Sequence, residues 1–328
     1  MHRMKKSTEK LIKYTLVAGG AAAAAAAASA YVSTKYLINT ALDRDMPKIM
    51  RRAEGKIAGG KKSEEYVETV REAAVALETS EHRTVEITSY DGETLVGHYF
   101  PAENASRTVI AFHGWRSSWI KDFGMISRFW HESGCNVLYV EQRGQNNSTG
   151  DHMGFGLIER YDCLSWIDWV TANVSATLPI YLAGVSMGAA TVLMAAGLDL
   201  PENVHGIMAD CGFTSPKAIW KHIIRNNLHL PYGMRGAIAD RMCRRKISVG
   251  SEESSTIEAL ESARVPVLFV HGSADKFVPV EMTYRNYAAC ASPKELLIVP
   301  GADHAMSYYV DPEKYESVMK KFWEKYDS

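Results

Sequence analysis

Ser186 stands in Gly184-Val185-Ser186-Met187-Gly188, a G-x-S-x-G pentapeptide whose chemistry would be nucleophilic attack on a carbonyl carbon. A serine hydroxyl is a weak nucleophile alone. It needs a base to take its proton and an ionised carboxylate to orient that base and stabilise its charged form. Downstream, His271-Gly272-Ser273-Ala274-Asp275 offers a carboxylate and Gly301-Ala302-Asp303-His304 an imidazole, in the chain order Ser, Asp, His. Asp210 and Asp303 are rivals of Asp275 for the acid's place. Among eleven histidines, His304 is singled out because it follows a strand end, whereas His113 and His271 read as partners of loop backbone.

These groups meet only if the right elements hold them. Residues 180–185 form an apolar β-run, and residues 187–196 a small-residue helical run. Ser186 therefore falls on a strand-to-helix turn, where the first helical N–H groups, that of Met187 foremost, are free to bind a developing oxyanion. Residues 108–112, 136–140, 204–209, 265–271 and 295–299 read as further strands, and 123–132, 157–172 and 313–326 as helices. Alternation over 85–89, the Asp91-Gly92 turn and a second strand over 94–100 predict a hairpin at the start. Strands alternating with helices imply an α/β fold, a mostly parallel sheet covered on both faces and entered by an antiparallel hairpin. In such a sheet the loops at the carboxyl ends of the strands converge on one crevice. Asp275, His304 and His113-Gly114-Trp115 all lie on such loops.

GVSMG, HGSADKFVP, GADH and HGW, in this combination, resemble the α/β-hydrolase superfamily over roughly residues 84–328. RGQNNSTGDHMGFGLIERYD is similar to a segment of its prolyl-oligopeptidase-like and acyl-CoA thioesterase-like bacterial groups. The resemblance implies Ser186 as nucleophile, His304 as base and Asp275 as acid, with backbone N–H groups of Met187 and Trp115 as oxyanion hole. Trp115 has a plain alternative, ordinary packing with its amide unused. Glu141 stands where the family often has Asp, and Gln145-Asn146 replace a commoner His-Gly, so substrate preference does not transfer. The implied function is cleavage of a carboxylic ester through an acyl-enzyme, with no metal and no cofactor and a small acyl compound as substrate. Thioesterase, amidase or peptidase and acyltransferase activities would use the same groups. A membrane-anchored binding domain is the non-enzymatic alternative, disfavoured by the complete Ser/Asp/His set.

Residues 216–250 are too long for a plain connection and are expected to form a helical cap over the crevice. Trp220, Ile223, Ile224, Leu228, Leu230, Tyr232 and Met234 could wall it. Eight basic residues (Lys217, Lys221, Arg225, Arg235, Arg241, Arg244, Arg245 and Lys246) face only Asp240 within it. They read either as a solvated face or as a surface attracting an anionic substrate or an anionic membrane. A net charge of −1 speaks against nucleic acid, and five dispersed cysteines speak against a disulfide framework or a zinc site.

Residues 14–34 carry no charge and are long enough to cross a bilayer. They read as a signal anchor, as a signal peptide cut after Ala30, or as a soluble alanine-rich helix; the anchor is preferred. Lys5, Lys6, Lys10 and Lys13 before it favour an extracytoplasmic catalytic domain, a bias blunted by Arg44, Lys48, Arg51 and Arg52 after it. A secreted or cytoplasmic protein is the alternative. The expected organisation is thus an anchor or signal segment over 1–35, a helical stalk over 36–80 broken near Pro47 and Gly59-Gly60 and ending in a helix near Tyr66 to Leu77 that packs on the domain, and a catalytic domain over 81–328.

Overall fold

A computed structural model describes residues 2–48 and 62–327. Its centre is an eight-stranded sheet in the order β1-β2-β4-β3-β5-β6-β7-β8. The strands are β1 (Arg83–Thr88), β2 (Thr94–Phe100), β3 (Arg107–Phe112), β4 (Cys135–Val140), β5 (Ile180–Val185), β6 (Val204–Asp210), β7 (Val267–Gly272) and β8 (Lys294–Val299). The β1–β2 and β2–β4 pairs are antiparallel and the other five parallel. The expected layout is therefore present, and most predicted strand limits fall within two residues of those seen.

Period-two alternation sends the side chains of each central strand to opposite layers. Ile110, Phe112, Ile180 and Leu182 pack against α4 (Glu159–Asn173) and α5 (Met187–Ala195). Val109, Ala111, Tyr181 and Ala183 pack on the other face, against α3 (Trp119–Glu132) and the C-terminal helix α11 (Pro312–Tyr326). The long segment between β6 and β7 folds as α6 (Pro216–His222), a π-helical turn (Ile223–Asn227), α7 (Gly233–Ile247) and α8 (Thr256–Glu261). After β7 comes α9 (Val280–Ala289), and after β8 the short α10 (Ser307–Val310). The RGQNNSTGDHMGFGLIERYD segment is a brace. Arg143 makes two 2.6 Å bonds to Asp162, and Glu159 accepts from Gly154 N (2.5 Å) and Gly156 N (2.8 Å).

The N-terminal part differs from the expected succession of anchor and stalk. Helix α1 (His2–Leu42) passes through residue 35 without a break. Its Lys13–Leu42 portion is long and apolar enough to cross a membrane, compatible with an anchor or a signal segment. Ala30, Thr34, Ile38 and Leu42 are buried at a spacing of four, one helical stripe, and α1 lies against α7. Helix α2 (Glu64–Thr79), capped by Ser63, buries Ala74 and Leu77 against α3. The stalk's last helix thus packs on the body as expected, and its beginning, within α1, does so as well. The break expected at Gly59-Gly60 lies outside the described residues.

The elbow depends on two glycines. A Cβ on Gly188 would overlap the Phe112 carbonyl oxygen, and one on Gly184 the Gly188 carbonyl. Both obstacles are backbone at the centre of the sheet. Gly188→Ala is therefore expected to lower unfolding stability by about 3 kcal/mol, measured by urea denaturation; a variant as stable as wild type would show that β3 and α5 can separate freely.

Candidate active site

Ser186 caps α5 with φ 56° and ψ −112°, a conformation that costs a non-glycine residue roughly 1–3 kcal/mol. The turn is held by Ser186 N donating to Asp210 O (2.9 Å) and by Ala190 N donating to Ser186 O (3.0 Å). The carboxylate and imidazole come from the turns after β7 and β8. Those turns are tied together, because Ala274 N donates to Ala302 O (2.9 Å) and Gly301 N to Ser273 Oγ (2.9 Å).

The structure brings Ser186, His304 and Asp275 together. His304 Nε2 lies 2.9 Å from Ser186 Oγ, and Nδ1 lies 2.7 Å from Asp275 Oδ2. An ionised carboxylate only accepts, so Nδ1 carries the proton and Nε2 is left to accept from the serine hydroxyl. Asp275 is saturated with donors. Its Oδ1 accepts from Phe277 N (2.8 Å) and Val278 N (2.9 Å), and its Oδ2 also meets His271 Nε2 at 3.1 Å. Burial opposes its ionisation, but His304, His271 and these hydrogen bonds outweigh it and hold the carboxyl well below the usual carboxylate range. Such a line can move a proton from a hydroxyl to an imidazole whose charged form the carboxylate stabilises.

The rival acids are engaged elsewhere. Asp210 accepts from Ser307 Oγ (3.1 Å), and burial raises its carboxyl above the ordinary value. Asp303 pairs with Lys62 Nζ (3.1 Å) and accepts from its neighbour's backbone, His304 N (2.8 Å). His113 binds loop backbone, as expected. Gln142 N donates to its Nε2 (3.2 Å), so its Nδ1–H donates to Gly114 O (2.8 Å), and burial lowers its pKa. Cys211, Asp275 and His304 offer ligand atoms within 4.8 Å of one another. Burial keeps the Cys211 thiol well above its ordinary pKa, the protonated form that metals bind poorly.

The His113-Gly114-Trp115 loop lies over the serine: a Cβ on Gly114 would sit 3.4 Å from Ser186 Cβ. Asp122 orders this loop, accepting from Gly114 N (2.6 Å) and Ser117 Oγ (2.6 Å). The backbone N–H groups of Trp115 and Met187 donate to no acceptor among the described residues. Trp115 also packs, its ring beside Phe155 and its Nε1 donating to Ala41 O at 2.9 Å. Packing and a free amide thus coexist in one residue.

Beside Ser186 lies a pocket of about 600 Å³ walled by Trp115, Phe155, Phe213, Ile219, Trp220, Ile224 and Phe277, with no charged side chain among its lining residues. The Phe277 ring stands edge-on to His304 at 4.9 Å. Two contributions went unseen in the sequence. His271 meets loop backbone as expected, at Val278 O (2.9 Å), and in addition Asp275 and Thr283 Oγ1 (2.6 Å). With two acceptors at Nε2, its Nδ1 accepts from the Thr283 hydroxyl. Its HGSAD context, with Asp275 four residues on, was the available signal. Leu37, Ile38, Thr40 and Ala41 of α1 also line the pocket; their signal was the four-residue apolar spacing carried past residue 35.

Residues 109–318 match the alpha/beta hydrolase family. The uncharacterized protein YqkD of Bacillus subtilis is 26% identical over 247 residues, which are 75% of this chain and 81% of that one. Protein bem46 of Schizosaccharomyces pombe is 24% identical over 234 residues, covering 71% and 72%. Among solved structures, the esterase Pf2001 of Pyrococcus furiosus is similar with a TM-score of 0.60 at 24% identity, over 76% of this chain and 93% of its own. The sequence match spans the sheet from β3 onward, both helical layers and every loop that reaches Ser186, so this chain belongs to the alpha/beta hydrolase family.

Proposed function

We propose that the protein is a serine hydrolase that cleaves a carboxylic ester through an acyl-enzyme on Ser186. The observation that carries this reading is the unbroken line from Ser186 Oγ to His304 (2.9 Å) to Asp275 (2.7 Å). Ser186 Oγ attacks the ester carbonyl while His304 Nε2 takes its proton. The N–H groups of Met187 and Trp115 hold the resulting oxyanion, each worth roughly 3–4 kcal/mol in comparable sites. Collapse breaks the acyl–oxygen bond, and the leaving alcohol takes the proton from His304. Water, deprotonated by the same imidazole, then frees the acid and restores the serine. The uncharged, aromatic-rich pocket supports an apolar acyl group. We read α1 as a membrane anchor that leaves the catalytic domain on the extracytoplasmic side.

A fluorophosphonate probe is expected to label the wild type and not Ser186→Ala, with kcat for p-nitrophenyl esters falling by about 10⁴-fold or more in that variant. Absence of labelling in folded wild-type protein would remove the hydrolase reading.

Asp275 makes a second prediction. Its carboxyl is depressed in the folded state, whereas the unfolded chain titrates near the ordinary value of about 3.9. Its stabilising contribution is therefore complete above that value and is lost as pH falls through the lower folded-state one. Asp275→Asn should be less stable than wild type at pH 7, with the gap closing on acidification below about pH 4. Melting curves that stay a constant distance apart between neutral and acid pH would contradict this.

A further inference from the structure

We propose that the pocket beside Ser186 takes the acyl chain of a membrane-lipid ester, delivered from the bilayer along α1. The inference rests on the hydrolase reading and names its substrate class. Its basis is that one unbroken helix supplies both an apolar segment fit to span a membrane and a wall of the pocket.

The two parts keep a fixed relation because the end of α1 is bolted to the site. Trp115 Nε1 donates to Ala41 O (2.9 Å) and Met153 N to Leu42 O (2.7 Å). The Arg116 guanidinium donates to Thr40 O (2.8 and 3.1 Å) and Arg44 O (2.9 Å). The Trp115 and Arg116 bonds run through the very loop that holds the Trp115 amide near Ser186. A passive tether would not need such contacts.

Helix geometry sets the depth. The uncharged stretch beginning at Tyr14 reaches a hydrocarbon thickness of about 30 Å near Ser33, at 1.5 Å per residue. At that level the body meets the helix: Arg235 Nη2 lies 3.5 Å from Ser33 Oγ. Next to it Met234 is 58% exposed, in the first turn of α7 and just after the loop carrying Leu230 and Pro231. Tyr31 and Tyr36 are also exposed there, amphipathic rings of the kind that settle at membrane–water boundaries. Ile38 lies about 8 Å further along the axis, and the headgroup layer is roughly 5–8 Å deep on each side. The pocket wall therefore stands at the depth of lipid headgroups, where a glycerolipid carries its ester carbonyls. A chain leaving the bilayer would pass along α1 to Ile38 and Ala41 without crossing water. Arg225 adjoins pocket-lining Ile224, is exposed and has no partner among the described residues; it offers a cation to a headgroup phosphate. In the reaction the acyl–oxygen bond breaks, the glycerol oxygen takes the proton from His304, and water releases the fatty acid.

The test uses the full chain reconstituted in vesicles of phosphatidylcholine and phosphatidylglycerol, the latter with a radiolabelled acyl chain. Labelled fatty acid is expected at least about tenfold faster when enzyme and labelled lipid share a vesicle than when they occupy separate vesicles, since sharing a bilayer raises effective concentration. Ile38→Trp, which fills the wall, should lower the ratio of lipid to p-nitrophenyl acetate hydrolysis by about tenfold or more. Ile38→Ala, which enlarges the pocket, should shift a p-nitrophenyl ester series toward longer chains, a readout that holds even if the tryptophan variant fails to fold. Equal release from shared and separate vesicles overturns the proposal. So does absence of release while fluorophosphonate labelling and acetate hydrolysis persist; that outcome leaves the hydrolase reading standing and points to another acyl donor. Loss of labelling and acetate hydrolysis as well would remove both.

Discussion

Everything at the site depends on how Asp275 is held. A buried carboxylate is costly unless its lone pairs are occupied, and this one receives two backbone N–H groups on one oxygen and two imidazoles on the other. The backbone pair comes from Phe277 and Val278, immediately downstream, so the turn after β7 is wound around its own carboxylate. The imidazole pair reaches outward. His271, at the end of β7, fixes the carboxylate from the sheet side, and His304 faces the serine. Without that charge, His304 would have no reason to keep its Nδ1 protonated and its Nε2 free to accept. The geometry at Ser186 is thus decided two turns away from it.

A second constraint is the crowding where β3, β5 and α5 meet. Gly184 and Gly188 let α5 start directly against the end of β3, which sets the HGW loop over the serine. The same crowding holds Ser186 in its positive-φ conformation. Strain at Ser186 persists because the surrounding sheet over-determines it.

The sheet was legible in the sequence because its strands are short apolar runs punctuated by Gly, Pro and Asp, and because period two and period 3.6 alternate cleanly along the chain. Ser186 and His304 were legible from their places at strand ends. Asp275 was legible among its rivals, but the reason it differs from Asp210 and Asp303 is three-dimensional: those two are bound to Ser307 and Lys62, contacts that no local pattern announces. His271 binds loop backbone as read, but its added contact with Asp275 was not legible, because a buried histidine and an orienting one share the same sequence context. Helix α1 was divided at residue 35 because Lys35 ends the uncharged run, although the buried stripe continues through Ile38 and Leu42. Composition marks where a membrane segment stops, and packing marks where a helix stops; the two need not coincide. Helices α8 and α9 were not anticipated, being short and only partly apolar.

The attachment of α1 has a consequence for how the molecule is made. The helix leaves the ribosome before its partners, which arrive in instalments: Trp115 and Arg116 much later, Met153 after them, and Lys246 of α7, which pairs with Asp43, later still. Contacts so distant in sequence form slowly, because long loops must close before they are rewarded. Until α7 emerges, the stripe from Ala30 to Leu42 has only part of its surface to lie against, the part near Met153 and Phe155 that Ile38 and Leu42 share. A pocket with one wall synthesised before the rest and seated only when α7 arrives stays incomplete through much of translation, so the apolar space beside Ser186 closes late.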